Sequence, residues 1–453
     1  AAEMILYRLQ ALGVEFIFIN SGTDYPPMVE AYSRLKSEGR LVPEFVVCPH
    51  ENAAIGMAHG YYLATGKVQA VMVHTNDGLA NAACGIINLA NSNIPVIIFG
   101  GRTPISEHSH FGCRNTPIGY GQEMRDQAAM VRESVKWDFE LRYADQAGEH
   151  VDRAWAIANS LPKGPVYLSL PREPLCETFA TDSAALSCRP SQQPISFSPS
   201  PDSLSMAATL IANARHPVIF SQRGARTRQA FDLISTFVEQ WAIPVVEYWG
   251  TEVTISAAHP MYAGNEPAYW LSKADVVIVI DSQAPWMIES MNVNPDCKVI
   301  QIGPDPLFSR YPVRGYQSDV NLAGETDTIF KLLDNALKPY LAEKSASVEE
   351  RYSHVAAHNK KERTTRDNLV DSANAGPIGK PWLSYCLGAL ANKYNGKITS
   401  ELTTLPQFAN FIQPESYYQE ALSGGLGEAF PIALGLQLAN RDELVIRSEE
   451  HTS

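Results

Sequence analysis

Short runs of apolar, β-favouring residues alternate with helical stretches along the first 170 residues, and this alternation is what most narrows the fold. Residues 4–12 carry Met4, Ile5, Leu6, Leu9 and Leu12 at helical spacing, Gly13 follows as a cap, and residues 14–19 read as a strand. Further strand-like runs at 45–47, 70–74, 96–99 and 166–170 are separated by helical stretches such as 51–64, 79–90 and 149–160. A strand reached only after an intervening helix has crossed over to lie parallel to its predecessor, and parallel sheets are covered on both faces. The chain is therefore expected to be α/β.

With 453 residues it is too long for a single core, and the composition marks where it divides. A first domain is expected over 1–180. The stretch from Thr181 to Asp202 is dominated by Ser and Pro and reads as a linker. A central α/β domain is expected over 203–337, with strands at 218–220, 244–247, 275–280 and 298–302 and a last helix at 325–333. The polar stretch 343–368 reads as a solvated connecting helix. A third unit is expected over 378–446: a helix at 382–391, a short strand at 397–399, the turn SGGLG (423–427), a helix at 432–439 and a strand start at 444–446. About seventy residues are few for closing a sheet, so this unit is expected to be incomplete. The last seven residues, RSEEHTS (447–453), follow an apolar strand start with polar residues. A nucleotide string that can encode this heptapeptide matches a common short-read sequencing adapter, and 447–453 is expected to be a non-native tail, with an ordinary polar C-terminus as the alternative. The lack of an initiating Met points in the same way to a missing native N-terminus.

Charge and cysteine usage exclude several partners. Against 49 Asp+Glu stand 36 Lys+Arg, a formal net charge of -13, so a nucleic-acid backbone would be repelled. The seven cysteines show no metal or disulfide spacing and read as reduced, mostly buried thiols. No apolar run reaches the roughly 18 residues of a membrane span. A cytoplasmic protein is expected.

Two positions carry chemistry on their own residues. Glu51 lies between a buried-looking strand and an Ala/Gly-rich helix, where burial would raise its pKa and make it a proton exchanger. A helix N-terminal glutamate serving the dipole is the alternative. His74 ends a strand at the edge where open α/β sheets bind ligands, and it reads either as a satisfied structural histidine or as a general acid/base. His50 is read as structural.

The segment VVCPHENAAIGMAHGYYLATGK (46–67) resembles the glutamate motif of thiamine-diphosphate-dependent enzymes of the acetolactate synthase and benzoylformate decarboxylase kind. NSGTDYPPMVEA (20–31), HTNDGLANA (74–82), GPVYLSLPREPL (164–175), ADVVIVIDS (274–282), IQIGPDP (300–306) and SGGLGEAFPIALGLQLA (423–439) resemble further family segments in the family's order. The resemblance implies three domains: pyrimidine-binding, middle Rossmann-like and an incomplete diphosphate-binding domain. It implies that Glu51 bonds the cofactor's pyrimidine ring and drives its activation, and that His74 does acid/base work. Gly22 and Asn81 would line the cofactor cleft, and Thr403 and Thr404 would contact the diphosphate. Gly424 would offer its carbonyl to the aminopyrimidine, and Leu426 would wedge between the cofactor's rings. Thr23 and Gln122 match substrate positions, while Gly121 departs from the Phe that synthases carry there.

The implied cofactors are thiamine diphosphate and Mg²⁺, with FAD possible because SQRGAR (221–226) resembles a flavin-contacting loop. No G-D-G motif follows residues 444–446, so the metal ligands are expected to lie outside this chain, which by itself is expected to bind cofactor poorly and to be inactive. The implied function is decarboxylation of a 2-oxo acid with carboligation, as in the acetolactate synthases of branched-chain amino-acid biosynthesis. Gln122 and Lys136 lean that way. His74 and the FPIALG helix lean to a second reading, a non-oxidative 2-oxo acid decarboxylase. A non-catalytic nucleotide-binding scaffold is the third, against which a buried carboxylate at a cleft argues. A homodimer or homotetramer is implied, because family members form the cofactor site between subunits.

Overall fold

The computed structural model describes residues 1–20, 22–180, 192–374 and 376–449. Their contacts divide into two compact units, one within Ala1–Ile195 and Glu420–Arg441, the other within Ser196–Gln419 and the residues from Asp442.

In the first unit, β1 (Phe16–Asn20), β2 (Glu44–Val47), β3 (Gln69–Val73), β4 (Val96–Arg102), β5 (Asp138–Glu140) and β6 (Val166–Pro171) form one sheet in the order β2-β1-β3-β4-β6-β5. Every pairing is parallel. Successive residues of a strand face opposite sides. Thus Phe18, Val71, Val73 and Ile98 pack with α3 (Glu51–Thr65) and α4 (Thr75–Asn91). Ile17, Ile19, Ala70, Met72, Ile97 and Phe99 face the other way, toward α1 (Ala2–Ala11), α2 (Pro26–Ser37) and the helix Ala147–Asn159. The chain leaves β1 for β2 on one side and then places β3 on the other, so the order reverses between β1 and β3. Crevices at such reversals, at the strands' carboxyl ends, are where open α/β sheets bind ligands.

The helix Ala429–Ala439 belongs to this unit and lies on α3 at very short range. A Cβ on Gly60 would sit 2.0 Å from the Ile432 carbonyl oxygen, and one on Gly435 2.2 Å from that of Met57. Glycine is what permits the approach.

The second unit holds β7 (Pro217–Ser221), β8 (Val245–Val246), β9 (Val276–Ile280), β10 (Lys298–Gly303) and β11 (Val320–Ala323), ordered β11-β10-β9-β7-β8 and parallel throughout. A second parallel sheet, β13-β12-β14, joins Tyr417–Gln419, Lys397–Glu401 and Val445–Glu449. The α/β class is as the alternation predicts.

Several details differ from expectation. The helices Pro201–Asn213 and Arg228–Trp241 have no counterpart in the sequence reading, and the first of them begins inside the expected linker, whose residues 181–191 lie outside the described ones. The polar stretch is a helix, Leu341–Ala373, but not only a solvated one: the Arg351 guanidinium reaches the carbonyls of Ala214, Trp241 and Ala242 at 2.9, 2.6 and 3.1 Å. Arg447, Ser448 and Glu449, expected in the tail, continue β14 opposite Thr399, Ser400 and Glu401; 450–453 lie outside the described residues. Among the described cysteines, Cys48 and Cys297 are buried and Cys84 is exposed. Among the described residues no helix is long and apolar enough to cross a membrane.

Candidate active site

The carboxyl ends of β1, β2 and β3 bring together the residues singled out in the first domain. After β2 the chain turns through His50, whose Nδ1 accepts the Asn52 backbone N–H at 3.1 Å as the N-cap of α3. His50 is thus structural. Glu51, the first residue of α3, is 7% exposed. Its Oε2 accepts from Asn81 Nδ2 on α4 at 3.1 Å. Among the described residues its Oε1 has no hydrogen-bond partner, and it lies against Gly78, where a Cβ would come within 3.1 Å. One oxygen is thus fixed by the fold and the other is left as an acceptor.

His74 follows β3 directly as the N-cap of α4. Its Nδ1 lies 2.5 Å from Asp24 Oδ1, and its Nε2 lies 3.0 Å from the side-chain nitrogen of Gln122. Asp24 is buried, and its Oδ2 accepts the backbone N–H of Thr75 at 3.3 Å. Thr75 takes a φ of 39°, a strained value for a β-branched residue. The Asp24 hydrogen bond raises the His74 pKa against the opposing effect of burial, with the charges of Asp24, Asp77 and Glu51 adding to it. Gly22 makes room for the ring, since a Cβ there would sit 2.3 Å from His74 Nδ1. Thr23, Asp24, Thr75, Thr103, Arg114 and Gln122 line a small polar cleft beside the histidine. Gly121 borders open space, with nothing within 4 Å of a built Cβ. The sequence reading missed Asp24. Its only signal is an acid two residues past Gly22 in the loop after β1, which reads as an ordinary turn residue.

The Gly-rich turn is held on the same helix α4. Asn88 Nδ2 donates to the Gly425 carbonyl at 2.8 Å, and Ser423 Oγ donates to Asn88 Oδ1 at 2.7 Å. Gly424 and Gly427 have φ of 73° and 89°, where glycine is the residue of choice. The Gly424 carbonyl already accepts the Leu426 N–H at 3.0 Å, and Leu426 is 48% exposed. Asn81 and Asn88 are seven residues apart, so Glu51 and this turn meet α4 about 10 Å apart along its axis.

In the second unit, Thr403 and Thr404 lie just past the carboxyl end of β12. The Thr403 hydroxyl donates to the Glu401 carbonyl at 3.1 Å and that of Thr404 to Ser448 Oγ at 3.0 Å. In this arrangement both hydroxyl protons are used within the unit. The loop expected to contact a flavin is also engaged: Arg223 makes a two-bond ion pair with buried Asp281, at 3.1 and 3.0 Å, across the carboxyl ends of β7 and β9. That side chain does not fit a free flavin-phosphate donor. Lys136, whose ammonium donates to the carbonyls of Ile157 and Ser160 at 2.6 and 2.5 Å, caps the end of the helix Ala147–Asn159 rather than serving a site. Among the described residues no group of three His, Cys, Asp or Glu could hold a metal ion.

The model of the thiamine pyrophosphate enzyme N-terminal TPP binding domain matches residues 1–130, and that of the thiamine pyrophosphate enzyme central domain matches 204–332. The chain is 22% identical to the acetolactate synthase large subunit of Haemophilus influenzae over 98% of its own length and 76% of the relative's. With the oxalyl-CoA decarboxylase of Escherichia coli it shares 25% identity over 53% of its length and 41% of the relative's. Among solved structures, the benzoylformate decarboxylase of Polynucleobacter necessarius superposes with a TM-score of 0.76 at 20% identity, covering 98% of this chain and 80% of that one. The thiamine diphosphate-dependent 4-hydroxybenzoylformate decarboxylase of Rhodococcus jostii gives 0.74 at 20%, over 99% and 80%. Two models of one family between them match more than half of the chain, on a fold shared with that family's solved members, and the chain belongs to the thiamine pyrophosphate enzymes.

Proposed function

We propose that this protein decarboxylates a 2-oxo acid with thiamine diphosphate and protonates the product, as a non-oxidative decarboxylase does. The observation that carries this is the pairing at one sheet edge of a nearly buried carboxylate with a spare acceptor oxygen, Glu51, and a histidine held by its own acid, His74. The residues present fit the cofactor's pyrimidine: Glu51 Oε1 is an ordered, unspent acceptor suited to a protonated ring nitrogen. When bound, thiamine diphosphate supplies a carbon nucleophile and an electron sink for the carboxylate-bearing carbon.

The protein's own residues then have distinct tasks. Glu51 holds and returns the proton at the pyrimidine nitrogen, with Asn81 fixing its orientation. His74 Nε2 gives a proton on the substrate side, and Thr23, Gln122 and the polar cleft orient the 2-oxo acid. Mg²⁺ would be needed to hold the diphosphate, with Thr403 and Thr404 at the sheet edge nearest that role. Carboligation, which the resemblance puts first, is the second reading; the acetolactate synthase match across 98% of the chain favours it.

The test, run on the protein extended to include the metal ligands expected outside this chain, is carbon dioxide release from pyruvate and from benzoylformate with thiamine diphosphate and Mg²⁺ added, for the wild type and Glu51→Gln. Turnover that falls at least about 100-fold in Glu51→Gln supports the reading, that being the lower range for a positioned acid/base. Turnover unaffected by the substitution, or none with any 2-oxo acid, overturns it. An aldehyde product marks the decarboxylase, and a 2-hydroxy-2-alkyl-3-oxo acid marks carboligation.

A further inference from the structure

We propose that Asp24 is the positioning residue for His74, fixing its neutral ring with the proton on Nδ1 so that Nε2 is the nitrogen that exchanges a proton with the substrate. This rests on the reading of His74 as the proton carrier. Asp24 Oδ1 is an acceptor only, so at 2.5 Å the Nδ1 atom must donate. The other carboxylate oxygen takes the first N–H of α4, which ties the acid to the same helix start that carries the histidine. The backbone is shaped around this pair from both sides. A Cβ at Gly101 would lie 1.3 Å from Asp24 Oδ2, and one at Gly22 would lie 2.3 Å from His74 Nδ1.

On the cleft side, Gln122 is the one side chain among the described residues that bonds Nε2. Its amide suits either state of the ring: its N–H donates to bare Nε2, and after rotation its oxygen accepts from protonated Nε2. A residue that bonds both forms keeps the nitrogen ordered without locking its proton. Among the described residues, the charged groups facing the ring are Asp24 from the loop after β1, Asp77 from α4 and Glu51 from α3, and all three favour the imidazolium. Only Asp24 touches it.

The experiment is a pH titration of the histidine side chains by ¹⁵N and ¹³C NMR on selectively labelled protein, with His74 assigned by its loss in His74→Gln. In the wild type, His74 is expected to titrate above the ordinary value of about 6.5. Above that titration, Nδ1 should be protonated and Nε2 bare; the opposite tautomer overturns the proposal without any variant. In the isosteric Asp24→Asn the titration should move to lower pH. The alkaline limb of the kcat/KM profile should move with it, and kcat/KM at neutral pH should fall about 10- to 100-fold, a part of what a positioned acid/base supplies. A His74 titration identical in Asp24→Asn and wild type sinks the role of Asp24 even if His74→Gln is inactive. Full turnover in His74→Gln sinks instead the reading of His74 as proton carrier, and the tautomer then stands as a structural fact alone.

Discussion

Glu247 follows β8 directly and is buried, with its Oε1 accepting the backbone N–H groups of Thr254 and Ile255 at 2.7 and 3.4 Å. Burial pushes its carboxyl up to about 7, and those hydrogen bonds only partly oppose it. The folded state therefore holds this proton more tightly than the unfolded chain, whose carboxyl titrates near 4.5. Its contribution is fully present below about pH 4.5 and is lost as pH rises to about 7. At about 1.4 kcal/mol per unit this amounts to about 3 kcal/mol. Glu247→Gln keeps the acceptor oxygen and removes the titration, so the fall in unfolding free energy between pH 4.5 and 7.5 should shrink by about that amount. Denaturant unfolding at both pH values checks it, and an unchanged difference would place the titration elsewhere. Nothing in the sequence distinguishes this glutamate from an exposed one, because its hydrogen bonds to Thr254, Ile255 and Gly264 form only once the chain has folded. Glu51 and His74 were legible for the opposite reason: each stands where an apolar strand meets a helix, and in a parallel sheet that boundary faces the ligand edge. Asp24 was not, since only the fold brings the loop after β1 against the end of β3.

At the scale of elements, strands with β-branched runs, such as β3 and β9, and helices with a clear apolar period were readable. Periodicity alone did not suffice, since the helix Arg228–Trp241 carries a strong apolar stripe and was nonetheless missed, while β5 and β13 are three residues each, too short for a periodicity to register. Glycines conceal more. In isolation Gly60 and Gly435 weaken their helices, yet they let α3 and Ala429–Ala439 approach until backbone meets backbone. Gly60→Ala would gain up to about 1 kcal/mol of helix propensity. Its Cβ would meet the Ile432 carbonyl at 2.0 Å, a main-chain atom that no side-chain rotation can move. A net destabilisation of about 1–3 kcal/mol is expected, in the range of overpacked cores. Gly13→Ala is not a fair control because its φ is 82°, but Gly121→Ala meets open space at no positive φ. Comparing the two alanine variants by urea midpoint isolates the packing effect, and equal midpoints would refute it.

At the scale of the whole molecule, the resemblance implies that the cofactor site forms between subunits. Glu51 and the turn that carries Gly424 and Leu426 meet the same helix about two turns apart. We propose that Glu51 of one copy serves a cofactor together with the turn of a second copy, as the resemblance implies for this family. Two such copies related by a two-fold axis would then build two equivalent sites. Exposure of Leu426 at 48% agrees with a side chain aimed outside its own unit. The consequence can be measured without a structure of the assembly. Glu51→Gln and Leu426→Asp each remove one half of every site, so each alone should lose turnover. Unfolding and refolding them together at equal amounts should leave half of the dimers mixed. Each mixed dimer has one site carrying both substitutions and one carrying neither, so about a quarter of wild-type turnover should return. If a single chain supplies both groups to its own site, every site in the mixture keeps one defect, and no activity returns.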